Sequence, residues 1–469
     1  MILFLPIPEC DHSDSIRMKT KINYLLALFV LLMACQPKES TTPTTPDTIT
    51  FPERAANMTV YEVNIRQATP EGTLEAFATH LPRLQQLGVQ MLWIMPVQPI
   101  SLVNRKGTLG SYYSIADYTA VNPEFGSIDD FKALVQAAHA LDMVVILDWV
   151  PNHTGWDHPW ITSHPEYYAK DSVGNIAHEA DWTDIALLDH TVTDTRQAMI
   201  NEMKYWIAET DIDGFRCDHA AHEIPMYFWE EATDALDPMK DLFWLAEWDE
   251  PRLHTTFHAS YSWELLHLTE HVAQGEKNAN DIAAFIDKDM ALYGRRPFRM
   301  TITTNHDENS WAGTVFERYG QGHQAFATFI FTAYGFPMIY NGQEVGLNKR
   351  LEFFEKDSID WSDPLNLSPF YQSLVSLKRD NPALWNGAYG GQPFRINEGE
   401  AIYAFKRTKD DNQVIGIINM TDQPAALQLT DSSVYGDYID YFTQDNYQLS
   451  DKQTLTLSPW QYLIFIQNQ

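Results

Sequence analysis

The sequence predicts an α/β protein: a (β/α)8 TIM barrel with a short subdomain inserted after the third strand and an antiparallel β-domain at the C-terminal end. Three observations predict it. Unbroken apolar runs such as "VQMLWIMP" (89–96) and "VVILDW" (144–149) alternate with amphipathic stretches, the pattern of a parallel sheet covered on both faces. Polar strand ends recur at the spacing of barrel units, about 30 residues each in a barrel of about 250. Near residue 385 the pattern changes to short alternating strands, a separate β-domain. At 469 residues the chain is too long for one ordinary core but suits a large barrel and a small domain.

Residues 1–35 read as a processing signal, with Met18 as its start. Lys19 and Lys21 form a charged region, and Tyr24 to Ala34 is an apolar run too short to span a bilayer. It ends in "LMAC", which resembles a bacterial lipobox with Cys35 as the lipidated residue. Acyl chains there give stable anchoring. The protein is therefore expected to be exported and lipid-anchored to a bacterial membrane, at the outer membrane or cell surface and not in the cytoplasm. A cleaved signal with secretion is the alternative. Residues 36–56 are Pro/Thr-rich and read as a tether.

The barrel is expected over 57–385. "MTVYEVNI" (58–65) reads as its first strand, and Thr73 to Leu87 as a helix, with Leu74, Phe77, Leu81, Leu84 and Leu87 at helical spacing. Ser127 is placed to cap the helix "IDDFKALVQAAHALDM". "DIDGFRCD", "LFWLAE", "RMTITTNHD" and "GFPMIYNG" continue the strands. Asp148 to Asp218 is too long for one unit, and the excess near 153–190, rich in Trp, His and Asp, is the inserted subdomain. The strands "EAIYAFKRT", "QVIGIINM", "AALQLT" and "QYLIFIQ" assign 386–469 to the β-domain.

Composition narrows the function. The net charge of −31, from 32 Lys+Arg against 63 Asp+Glu, repels nucleic acid and anionic substrates and suits a neutral one. Three cysteines, Cys10, Cys35 and Cys217, leave no disulfide framework once the first two are removed or modified. Fourteen Trp and 22 Tyr serve barrel packing first and sugar faces second.

Polar residues gather at the C-terminal ends of the predicted strands, the face on which such barrels build active sites. They are Asp148, Asn152 and His153; Arg216 and Asp218; Glu247; His306 and Asp307; Tyr113 joins from "GSYYSIADY". One strand-end Asp is as easily a helix cap. Three carboxylates on three strands would repel one another unless a site uses them. Two carboxylates and a neutral polyol substrate suggest glycoside chemistry, with one as nucleophile and the other as proton donor. Arg216, two residues before Asp218, shares its strand face and is expected to lower the Asp218 pKa. The apolar run before Glu247 is expected to raise that of Glu247.

The chain resembles the α-amylase family, glycoside hydrolase family 13. "DWVPNHT" (148–154), "GFRCDHAAH" (214–222), "LAEW" (245–248) and "TTNHD" (303–307) match its four strand-end motifs in order, with further matches at "GSYYSIADYTAVNPEFGS" and "GFPMIYNGQEVG". The resemblance implies Asp218 as nucleophile, Glu247 as general acid/base and Asp307 as the third carboxylate. It implies Arg216 orienting Asp218, His153 and His306 bonding the sugar, Tyr113 stacking beneath it, Asp148 shaping the same region, and His222 on the substrate. It also implies retained anomeric configuration, with Asp218 and Glu247 about 5–5.5 Å apart.

Two departures matter. Ala221 stands where many α-amylases carry an acceptor-side Lys, and Leu187 where many carry an Asp calcium ligand. Leu offers no oxygen; Asn152 and the His222 carbonyl are the donors left for calcium, and no cofactor is required for the chemistry. By elimination the expected activity is endo-hydrolysis of α-1,4-glucosidic bonds in starch, glycogen or maltooligosaccharides. A neopullulanase-like, α-glucosidase or transglycosylating enzyme is the runner-up. A surface glycan-binding protein on an inactive barrel is the rival from another class, and the intact carboxylates argue against it. Cys217 should face the helices as an inert thiol, His219 has no assigned role beyond a place on the rim or behind the site, and Trp156, Trp160 and Trp182 serve either sugar or packing.

Overall fold

The computed structural model describes residues 49–467. Eight parallel strands close a barrel: β1 Val60–Val63, β2 Met91–Ile94, β3 Val144–Trp149, β4 Gly214–Cys217, β5 Phe243–Ala246, β6 Ala259–Tyr261, β7 Phe298–Thr301 and β8 Phe336–Tyr340. They follow one another around the ring in chain order, and β8 pairs back onto β1 with Val60 opposite Met338. Alternate residues face opposite sides. Val60, Trp93, Ile146, Leu245 and Met300 fill the inside, while Tyr61, Leu92, Leu147, Phe215 and Cys217 pack in the layer shared with the helices. Cys217 is buried and free, as expected, and burial pushes its thiol well up.

Three sequence expectations change. The helix expected over 73–87 is two, Leu74–Ala78 and Leu81–Leu87, because Pro82 can open a helix but not continue one. The sixth strand, Ala259–Tyr261, had no distinct signal: it has three residues with Ser260 in the middle. The expected tether ends before residue 56. Phe51, Ala55 and Ala56 are buried, Phe51 meets the Phe243 ring at 5.4 Å, and Asn386 binds the carbonyls of Ala55 and Met58. This segment closes the barrel floor, the end opposite the polar strand ends. Cys35 and most of the tether lie outside the described residues. Among the described residues, no helix is long and apolar enough to cross a membrane.

Ser127 caps Ile128–His139 as expected, in a reciprocal box with Asp130. The inserted subdomain hangs on an antiparallel pair, His153–Gly155 with Ile185–Leu187. The C-terminal domain is a six-stranded sheet in which Ile402–Lys409, Asn412–Asn419 and Tyr462–Gln467 form the centre. Arg407 fastens it to the barrel: buried, it donates to the carbonyls of Gly391, Thr332 and Trp385.

Candidate active site

Gly214 opens β4 because nothing larger fits. Its φ is +152°, and a Cβ there would lie 2.0 Å from the Phe243 carbonyl oxygen. This close approach of β4 to β5 sets the two strand ends that matter. Beyond them the ladder continues: Glu247 N–H donates to the Cys217 carbonyl at 2.9 Å, and Asp218 N–H to the Trp149 carbonyl at 2.8 Å.

Arg216 is the centre of the site. Its guanidinium is fully buried and lies 4.7 Å from the Trp93 ring centroid. Nη1 donates to Asp148 and to Asp218, each at 2.9 Å. Nη2 stands 2.9 Å from Glu247 Oε1, an ion pair without hydrogen-bond geometry. One cation thus faces three carboxylates. Oxygens of Asp218 and Glu247 come within 4.8 Å of each other.

The expected pKa assignment is reversed in the site as built. Burial and then the Glu247 charge push Asp218 well above the usual carboxylate range, against the pull of Arg216. Burial also pushes Glu247 up, but Arg216 and His219 together hold it below its ordinary value. The physical reason is that Arg216 serves both carboxylates, while the His219 backbone N–H adds a bond to Glu247 Oε2 at 2.9 Å.

The other predicted residues divide by what they touch. Asp307, His306, Tyr113 and His153 line a cavity of about 630 Å³ with Asp218 and Glu247. Tyr113 lies against the His306 ring, centroids 5.4 Å apart, and its hydroxyl reaches His306 Nε2 at 2.8 Å and Asp148 at 3.1 Å. Asp148 and Arg216 do not line the cavity; they sit beneath it, wholly buried, and position what does. His153 forms wall, but both its nitrogens are engaged, Nδ1 by Asn152 and Nε2 by the Tyr113 carbonyl. Burial drops its pKa to about 3, so it is neutral. His222 lies off the cavity, with its ring 5.8 Å from Trp248 and Nε2 3.6 Å from Glu179.

Asn152 does not fit a calcium site. Its amide Nδ2 donates to the His222 carbonyl at 3.2 Å, and its Oδ1 faces His153 Nδ1 at 3.0 Å. The His222 carbonyl thus meets the amide nitrogen of Asn152 and not its oxygen, and apolar Leu187 is paired opposite His153.

Sequence reasoning missed several residues. Glu62, at the end of β1, holds His306 Nδ1 at 2.5 Å. Burial alone would lower the His306 pKa, but Asp307 and Glu62 outweigh it and raise it to about 9. Burial pulls Glu62 up as well; with the imidazolium in contact, the two form an ion pair. A carboxylate inside "VYEV" was the available signal. His219 lines the cavity at a left-handed φ of +48°, its ring 5.1 Å from Trp182. Trp182 also lines the cavity, whereas Trp160 packs on Tyr118 and Trp156 bonds the Thr183 carbonyl. Trp311, in the helical turn Glu308–Ala312, and Lys106, Phe353 and Phe354, in loops, complete the rim, and no motif flags them.

The chain matches known proteins along most of its length. A family model described as "Alpha amylase, catalytic domain" matches residues 42–184 and 179–393, and one described as "Maltogenic Amylase, C-terminal domain" matches 394–464. "Alpha-amylase 2" of Dictyoglomus thermophilum is 25% identical over 84% of this chain and 70% of its own length. "Alpha-amylase MalA" of Haloarcula japonica is 25% identical over 81% of this chain and 57% of its own length. The chain thus spans little more than half of the second relative. Among solved structures, a noncanonic maltogenic alpha-amylase from Thermotoga neapolitana superposes with a TM-score of 0.81 at 26% identity, covering 88% of this chain and all of that one. An alpha-amylase from Lactobacillus plantarum gives 0.80 at 28%, with the same coverage.

Proposed function

This chain belongs to the α-amylase catalytic family of glycoside hydrolases, and on that premise we propose that it cleaves α-1,4-glucosidic bonds of starch-type α-glucans with retention, through a covalent glucosyl–enzyme intermediate. One observation carries the reading: Asp218 and Glu247 oxygens lie within 4.8 Å, with Arg216 against both. So close an approach suits a retaining pair, with carboxyl groups about 5–5.5 Å apart, better than the about 6.5–9.5 Å that an intervening water requires.

Asp218 attacks the anomeric carbon as Glu247 protonates the departing oxygen. Glu247 then takes a proton from the incoming water, which attacks the anomeric carbon and breaks its bond to Asp218, so that Asp218 leaves ionised and Glu247 is protonated again. The first step needs Asp218 ionised and Glu247 protonated, and a bound sugar favours that state, because its hydroxyls donate to Asp218 and its glycosidic oxygen accepts from Glu247. Asp307 holds sugar hydroxyls, and Tyr113 forms the floor.

Endo action requires a cleft open at both ends, and transfer instead of hydrolysis requires an acceptor side that holds sugar better than water. Anchoring through Cys35 belongs to the same reading: Cys35→Ala should abolish incorporation of radiolabelled palmitate, and incorporation that persists removes the anchor. The activity is tested on amylose and pullulan with Asp218→Asn as blank. Maltooligosaccharides from amylose, released as the α-anomer by NMR, support it. β-Anomer, or panose from pullulan as the main product, sinks it.

A further inference from the structure

The barrel ring assigns the two ends of the cleft. Glu247 follows β5, which lies across the ring from β1. The acid stands beside the leaving group, so the acceptor side lies by β4 and β5, with His219 and Trp248. The donor side lies along the opposite arc, formed by the loops after β8, β1 and β2.

On that arc the loop after β2 crosses from one flank of the cavity to the other. Lys106 Nζ donates to the Asp181 carbonyl at 2.9 Å and lies 3.2 Å from Asp184 Oδ1, both in the inserted subdomain. A few atoms further on, Thr108 N–H donates to Glu355 at 2.8 Å, and Leu109 N–H to the Phe354 carbonyl at 3.0 Å, both in the loop after β8. Between them Gly107 takes a left-handed φ of +62°, and a Cβ there would lie 2.5 Å from that of Phe354. The seam admits no larger residue.

The footing of this crossing is buried. Arg66, stacked 4.1 Å from the Tyr112 ring, donates to the Gly110 carbonyl at 3.0 Å, to Leu109 at 3.3 Å and to Phe353 at 3.3 Å. The Gln67 amide binds the carbonyls of Glu352 and Glu355 at 2.8 and 2.9 Å. Residues just after β1 thus pin both loops from below. Five bonds from Arg66 and Gln67 hold the two loops together, so the crossing is a fixed wall and not a lid.

We propose that this wall ends the cleft on the donor side, so that a glucan enters with its non-reducing end against it and is cut at a fixed distance from that end. The inference rests on the glycosidase reading above and adds its substrate class: free chain ends, not interior stretches of polymer.

The test compares maltoheptaose with the same chain blocked by a 4,6-ethylidene group on its non-reducing glucose, products being followed by chromatography. The wild-type enzyme should yield one short product from the free chain and act about tenfold or more slowly on the blocked one. Lys106→Ala, and a second variant with residues 102–107 shortened, should accept the blocked chain several-fold better. Equal wild-type rates on both chains, with a ladder of products from the start, overturn the inference and leave the glycosidase intact. A preference unchanged in both variants overturns it too. Hydrolysis of neither chain removes the parent activity and this inference together.

Discussion

Glu62, at the end of β1, and His306, just after β7, meet from positions 244 residues apart, Oε1 to Nδ1 at 2.5 Å. The other face of the same ring reaches Tyr113 at 2.8 Å and Asp307 at 3.3 Å. A histidine raised to about 9 in the fold contributes stability that is full below its ordinary 6.5 and lost as the pH climbs through about 9. Glu62→Gln removes one of the two charges that raise it. The alkaline limbs of thermal stability and of kcat/KM should each move down by about a unit, and kcat should fall about tenfold. Melting curves and rates from pH 6 to 10 check this; limbs that stay in place would show that Glu62 does not set the charge on His306.

The two catalytic carboxylates are distinguishable by leaving group. Asp218→Asn should lose roughly 10⁴-fold in kcat on every substrate, since no bond to the sugar can form. Glu247→Gln should lose as much on maltooligosaccharides but only about 10- to 100-fold on α-maltosyl fluoride, whose fluoride departs without a proton. Equal losses on the fluoride would reverse or merge the two roles.

The strand-end residues were readable because each occupies a fixed place in a repeating unit. Asp148, Arg216, Asp218, Glu247 and Asp307 stand at or just beyond the C-terminal ends of strand-like segments, and a barrel brings those ends together. The direction in which each carboxylate's pKa moves was not readable. It depends on Arg216 Nη2 reaching Glu247 and on the His219 N–H reaching the same carboxylate, which are facts of side-chain direction across strands. Nor was the donor wall. Lys106 and Thr108 meet partners 75 and 247 residues away through loops whose composition carries no period.

Calcium removal should change nothing. Asn152 ties the His222 carbonyl directly, so dialysis against a chelator should leave Tm within about 1 °C and activity unchanged. Asn152→Ala should lower Tm by several degrees, the loss of one buried bond being about 1–3 kcal/mol. A chelator that drops Tm would show that a cation holds these loops after all.

Gly214→Ala tests how tightly the site depends on backbone approach. The added methyl collides with the Phe243 carbonyl at 2.0 Å, backbone against backbone, in a conformation that L residues avoid. A destabilisation of about 3 kcal/mol or more is expected, together with a fall in kcat for the protein that still folds, because β4 carries Arg216 and leads into Asp218. Denaturant melts measure the first and titrated active-site rates the second. Wild-type stability in this variant would mean that β4 and β5 are further apart than described.

Phe51, packed on Phe243, brings the chain into the domain through the barrel floor. Any pull applied through the N-terminal segment is therefore borne by the end of the barrel farthest from the chemistry. Immobilisation at the N-terminus should spare access that immobilisation through the rim would destroy.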